Sequence, residues 1–389
     1  MVHKEAKTRR WPLMNGLAML YVFTVLVLTA VPVISRLGAI LSLAMLLGLG
    51  FHYLKMRSLY VPKWFILPML FALFAFTSVM WSVDQLSAIY SAISLSAGVW
   101  GAGCVWLALQ NGASLSALIA SSFLSGVVIM ATASLELYTS AGDLRLSGIL
   151  GNPNLLAMNL TIAAFIMFLS EKKRVLCKTT GLCFVIFATV FSGSIKMLFF
   201  WIVFLFYLVL KGYQIAKKSH LMKALCSGLL LLLAIAAVYL GSLLFQNLEG
   251  ITVFKRFFQL LEGENTSGIT RLAMVNEGLT LWMQSPFMGN GIDQFRVLGS
   301  YGTYAHNNYI ELLCDFGISG LFLYYFSYFV ITAKSIKGIV AGYEHAYFAL
   351  MMIITMALWE VGVVSYSEKS MWLMMVLAFH LVSAADAKG

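Results

Sequence analysis

The sequence predicts an all-α polytopic membrane protein of about 12 transmembrane helices with both termini cytoplasmic, and three observations carry that prediction. Of 389 residues, 61% are hydrophobic and 11% charged, with a mean hydropathy of +0.88. So few charges cannot cover a water-solvated surface, so lipid must solvate most of the chain and a soluble globular domain is excluded. Apolar runs long enough for a hydrocarbon layer of about 30 Å recur from end to end. The formal charge of +10, which in a soluble protein would suggest a nucleic-acid partner, is distributed as a topology signal instead.

Taken in order, the apolar runs predict spans at 12–30, 37–54, 64–80, 88–109, 114–134, 153–170, 179–192, 196–210, 222–244, 307–333, 345–362 and 370–384. With the N-terminus inside, 18 of the 26 Lys and Arg residues fall on the cytoplasmic side; the opposite orientation inverts the positive-inside rule. The basic start reads as a signal anchor, because further spans follow it and no small-residue cleavage site is evident. The five cysteines lie mostly within apolar runs, with no paired or metal-type spacing, and behave as small hydrophobes. Residues 1–389 therefore form one transmembrane domain. Its one long polar stretch, 245–306, is an extracytoplasmic loop where chemistry can take place.

Within that loop, QLLEGENTSG marks a turn region. TRLAMVNEGLTLWMQ follows with Leu272, Val275, Leu279, Leu281 and Trp282 at helical spacing, predicting an amphipathic helix that lies on the membrane with Arg271 in its first turn. The Gly289-Asn290-Gly291 turn beyond it superficially resembles a phosphate loop. It lacks the strand before and helix after that a nucleotide site needs.

Eight cations remain for the outer face: Arg36, Arg145, Lys196, Lys255, Arg256, Arg271, Arg296 and Lys369. Each alone is explained by an acid or a lipid headgroup. Several converging would form a diphosphate site, since guanidinium presents a charged fork that grips phosphate oxygens in pairs. Three stand out by context. Arg145 precedes Asn152, a candidate N-cap, and Pro153, a first helical residue, so a helix start with its unpaired amides lies close to an arginine. Lys196 opens a span after small residues, and Arg271 belongs to the loop helix. Among the histidines, His306 alone falls outside, at the head of AHNNYIELLCDFGISGLFLYY; a neutral imidazole there can accept a proton from an attacking hydroxyl. Glu311 borders this site, and Asn307, with Asn308 a weaker candidate, is placed to orient the ring or a sugar hydroxyl. Asp315 falls on the opposite helix face from His306 and reads as structural. No outward residues show metal-ligand spacing, so no metal and no cofactor is expected.

These residues resemble the bacterial O-antigen ligase and O-antigen polymerase superfamily. The likeness runs through TSVMWSVDQLSAIY at 77–90, RLSGILGNPNLLAMNL at 145–160, FSGSIKM at 191–197, TRLAMVNEGLTLWMQSPFMGNGIDQF at 270–295 and AHNNYIELLCDFGISGL at 305–321. The resemblance implies an inner-membrane enzyme with its site on the extracytoplasmic side. Its implied reaction is metal-free transfer of a glycan from an undecaprenyl diphosphate carrier to an acceptor hydroxyl, with inversion. By motif position it implies His306, Arg271 and Arg145 as catalytic, and the reading of the residues themselves adds Lys196, Asn152, Asn307, Arg256 and Glu311 as substrate-binding. The partners it implies are the lipid-linked donor, a glycan or lipid-linked acceptor, the bilayer and a chain-length regulator, with no nucleic acid. One departure stands out: many members carry Ser-x-Ser-Arg where this chain has Ser192-Gly193-Ser194-Ile195-Lys196, so a point-charge ammonium replaces the bidentate fork, displaced by one residue. A short chain with a compact outer loop favours repeat-unit polymerase over ligase. A transporter of lipid-linked sugars is the alternative of a different class.

Overall fold

The computed structural model of the chain describes residues 12–28, 37–56, 65–139, 145–170, 174–215 and 266–386, and among these all regular structure is helical. Helix α1 (Pro12–Phe23), prolonged by a π turn over Thr24–Leu28, is followed by α2 (Leu37–Met56), α3 (Ile66–Ser78), α4 (Gln85–Gln110) and α5 (Leu115–Thr139). Next come α6 (Pro153–Phe168), α7 (Val175–Ser192) and α8 (Lys196–Ile215). The last group is α9 (Thr266–Gln284), α10 (Gln294–Leu298), α11 (Asn308–Val340), α12 (Glu344–Trp359) and α13 (Lys369–Asp386). Each expected span on the described residues except 307–333 coincides with one helix; that at 222–244, like Arg36, Lys255 and Arg256, lies outside them. Among the described residues five helices, α2, α4, α5, α7 and α11, are long and apolar enough to cross a membrane, and five shorter apolar helices accompany them.

Lipid and protein interior ask the same of a helix surface, so burial rather than hydropathy says which helices are central. In α4, 78% of the apolar stretch is buried inside the protein, against 28% in α2 and α7, which leave the remainder for lipid. In α6, every residue from Leu156 to Met167 is buried, and α13 is nearly as enclosed from Met371 to Leu381. These two and the second half of α4 form the centre, with α6 paired to α7 and α5, and α13 to α12 and α4.

The expected single span at 307–333 proves to be two helices. Gly317, at φ 61° and ψ −165°, breaks α11. The arm before it runs nine residues, about 13 Å, while 318–340 runs about 34 Å, and only the second is long enough to cross. A break of this kind orphans carbonyls on one side and amides on the other. The glycine-rich segment after α9 supplies both sets of partners. Asn290 and Gly291 donate their N–H groups to the carbonyls of Cys314 and Asp315 at 2.9 and 2.8 Å, while Ile318 and Ser319 donate theirs to Pro286 and Phe287 at 2.9 and 3.2 Å. Such contact leaves no room for side chains: a Cβ on Gly289 (φ 68°) would fall 2.3 Å from the Asp315 backbone, and one on Gly317 2.4 Å from that of Phe287. The Gly-Asn-Gly turn thus joins two helix halves.

Helix α9 packs on this arm of α11. Met274, Phe295, Ala305, Ile310 and Cys314 form a small core of their own, with Val275, Leu279 and Leu281 packed against it, while Leu272 stays exposed. The helix begins at Thr266, five residues before Arg271, because TSG continues the helical turn. Arg271 accordingly projects from the second turn, not the first as the pattern suggests.

Candidate functional site

Two loops meet at one end of the bundle. The first is the start of α6, where Asn152 is the N-cap, its side chain accepting from the Asn154 N–H at 2.8 Å, and Pro153 is the first helical residue. Asn154, which the sequence reading passed over, has the larger role. Its Oδ1 accepts from Ser194 Oγ at 3.1 Å and from Lys196 Nζ at 3.2 Å, fastening the α7–α8 turn to the α6 N-terminus. That turn is tight because Gly193 adopts a left-handed conformation at the end of α7 and Ser194 N–H bonds back to Ser192 Oγ. Lys196 is only 7% exposed, so its ammonium is held in place and not free to follow solvent. Arg145 is placed behind this turn, donating Nε–H to the Ser192 carbonyl at 3.2 Å, while Leu146 N–H bonds Phe191 O.

The second loop carries His306. Its φ of 55° is left-handed, which for a non-glycine residue costs energy and persists only where the surroundings impose it. They do so from both sides. Ala305 N–H is taken by Glu311 Oε2 at 2.5 Å, and the Asn307 side chain caps α11 by accepting from Tyr309 N and Ile310 N. Asn308 is fully buried: its N–H bonds Glu360 O, its Oδ1 accepts from Ser365 N and Tyr366 N, and its Nδ2 donates to Tyr325 Oη. Glu360 is in turn caged by hydroxyls, accepting from Tyr324 at 2.8 Å, Tyr325 at 2.8 Å, Tyr328 at 2.5 Å and Ser365. Asn307 and Asn308 therefore spend their oxygens on the fold that presents the imidazole. Asp315 does likewise, receiving the N–H groups of Asp293, Gln294 and Phe295, each at 3.0 Å, and the Tyr366 hydroxyl at 2.7 Å.

Between the loops opens a cavity of about 170 Å³ whose lining includes Asn152, Asn154, Asp293, His306, Glu311 and Glu368. The two non-glycine residues with positive φ among the described residues, Asp293 and His306, both line it. The His306 ring lies 4.3 Å, centroid to centroid, from that of Tyr304. Burial, with the charges of Arg271 and Lys196 adding to it, brings the imidazole pKa down from 6.5 to about 4. The structure thus brings His306, Arg271, Lys196, Asn152 and Glu311 to one end of the bundle. Lys196 and Arg271 act on His306 through their charge without lining the cavity, Arg145 stands behind the Lys196 turn and does not line it either, and Arg256 lies outside the described residues.

Three acids share the lining. Glu311 is held by Ala305, and Asp293 accepts from Ser87, Ser91 and Arg296, whereas burial lifts the Glu368 carboxyl above its usual pKa with the Lys369 charge opposing. A larger cavity, about 790 Å³, lies between the ends of α7, α8 and α13, lined mostly by apolar residues, with the Lys211–Glu344 pair at 2.9 Å on its wall. Size does not make it the reactive one, since none of the candidate residues lines it. Among the described residues, no three His, Cys, Asp or Glu side chains are grouped as a metal site. The arrangement beside His306 suits an anion next to a neutral base. The family model described as O-antigen ligase matches residues 180–325, from α7 to just beyond the break in α11. No curated protein matches the chain in sequence.

Proposed function

We propose that this chain, whose residues 180–325 match the O-antigen ligase family model, is a metal-independent glycosyltransferase of envelope polysaccharide assembly that moves a glycan from undecaprenyl diphosphate to an acceptor sugar hydroxyl, with inversion. One observation carries the reading: an imidazole held neutral in a small cavity has a buried ammonium and a guanidinium as its electrostatic neighbours.

In the proposed reaction Arg271 and Lys196 hold the diphosphate, with Arg145 behind them, and compensate the charge that grows on it as the bond from the anomeric carbon to the phosphate oxygen breaks. His306 takes the proton of the acceptor hydroxyl, whose oxygen forms the new glycosidic bond from the opposite face. The diphosphate leaves with the electron pair on the carrier lipid, and the imidazolium returns its proton to solvent. The same cations that depress His306 in the free protein are neutralised by the donor, so donor binding makes the imidazole a stronger base and favours donor before acceptor.

The acceptor class in this proposal is another lipid-linked repeat unit, which makes the protein a polymerase of O-antigen, capsule or exopolysaccharide. The reaction takes place at the extracytoplasmic face of the inner membrane. Purified protein given a lipid-linked donor, in detergent and without any ion gradient, should form glycosidic product. A protein that only moves the donor across vesicles would end the transferase reading. In a deletion strain, single repeats on the carrier identify a polymerase, and long carrier-linked chains identify a ligase.

A further inference from the structure

Among the acids that line the His306 cavity, Glu368 differs in having no hydrogen-bond donor to its carboxylate from the described residues. The fold does not need that carboxylate to start α13. The backbone of Glu368 does so, its N–H bonding Ser365 O and its carbonyl accepting from Met371 N at 3.1 Å and Trp372 N at 3.3 Å. A partly buried carboxylate that receives no hydrogen bond at a cavity wall carries a desolvation cost that a ligand's hydroxyls would remove. Two carboxylate oxygens offer about four acceptor sites, and O–H bonds to them are the short, charge-assisted kind.

Tyr304 is the neighbouring wall, a cavity-lining ring 37% exposed that feels both Glu368 and Arg271. An exposed aromatic face beside an acceptor-only group suits the apolar and hydroxyl faces of a sugar, and a carboxylate repels a diphosphate. The volume, about 170 Å³, is below the roughly 300 Å³ at which sites enclose a whole drug-sized ligand. It admits a reacting sugar edge and not an oligosaccharide.

Resting on the glycosyl-transfer reading, we infer that Glu368, with Tyr304 beside it, is the acceptor subsite, binding the hydroxyls of the sugar whose oxygen His306 deprotonates. The cations take the diphosphate and Glu368 takes the polyol, which gives donor and acceptor separate binding groups around one imidazole.

The test uses two probes on the full-length protein in detergent: inorganic pyrophosphate, and the reducing oligosaccharide released by mild acid from the host's own carrier lipid. Glu368→Ala should weaken oligosaccharide binding about tenfold or more, as loss of charge-assisted hydrogen bonds does, and leave pyrophosphate affinity within about twofold. Glu368→Gln keeps the shape, guards against misfolding and should show most of the same loss. Oligosaccharide affinity unchanged in both variants, pyrophosphate lost in equal measure, or no oligosaccharide binding by the wild type each overturns the inference. Glu368-dependent binding without glycan transfer from a lipid-linked donor would uphold the sugar subsite and refute the transferase reading alone.

Discussion

The most informative perturbation is removal of a charge beside His306. Burial is the first cause of its depressed pKa, and Arg271 and Lys196 are the second and third, together bringing it from 6.5 to about 4. In the free protein, kcat/KM for the donor should therefore hold down to about pH 5 and fall along an acid limb centred near pH 4, not near 6.5. Arg271→Gln removes the larger of the two charge effects and leaves burial in place. The limb should rise by about one pH unit, the order expected of a single nearby charge, without reaching 6.5. At saturating donor the kcat limb should lie above the kcat/KM limb, because the diphosphate offsets both cations. Histidine C2–H exchange followed by mass spectrometry reads the same pKa without turnover, with a His306→Asn variant identifying the signal. The sign for stability follows: between pH 6.5 and 4 the unfolded chain takes up a proton that folded His306 refuses, so this group subtracts stability as pH falls through that window. Titration of His306 near 6.5, or a limb that stays put in Arg271→Gln, would refute the electrostatic argument.

Three further outcomes follow from the same geometry. Lys196→Ala should raise the donor KM and lower kcat in reconstituted transfer, with a stronger effect on a diphosphate donor than on oligosaccharide binding; equal losses for both would mean that the lysine only supports the α7–α8 turn. Gly289→Ala places a Cβ 2.3 Å from the Asp315 backbone at a positive φ, so the protein should lose stability on the order of 2 kcal/mol or more and its thermal midpoint in detergent should fall; an unchanged midpoint would contradict the close-packed splice. Asp315→Ala leaves three loop amides and the Tyr366 hydroxyl without their acceptor, a cost on the order of 3 kcal/mol or more, and should lower both the midpoint and transfer, whereas Asp315→Asn should retain part of each.

Much of the helical pattern was legible because composition and apolar runs are local properties. Asn152 as N-cap and Pro153 as first helical residue could be read from three consecutive letters, and the α6 start follows them. The break at Gly317 could not, since 307–333 is continuously apolar enough to read as one rod; what breaks it is a loop from about 30 residues earlier whose amides and carbonyls take over the helix bonds. The same limit hid the roles of Asn307 and Asn308, which look like polar groups available to a sugar until the chain around Glu360, some fifty residues on, is folded against them. Glu368 was concealed differently. It adjoins Lys369 in a short polar connection where nothing in the sequence sets it apart, while its carboxylate lines the cavity beside His306. Arg145, in contrast, stood out by context and lies one layer behind the cavity, on the Ser192 carbonyl.

The proposed reaction stands or falls on what the imidazole does. The direct measurement is glycan transfer from an undecaprenyl diphosphate donor by reconstituted His306→Asn, because asparagine accepts the left-handed backbone at this position and removes the base. Transfer should fall by about 10² or more, the contribution of a general base, while thermal midpoint and pyrophosphate binding stay at wild-type values. Product formed at the wild-type rate by that stable variant would contradict the mechanism at its centre.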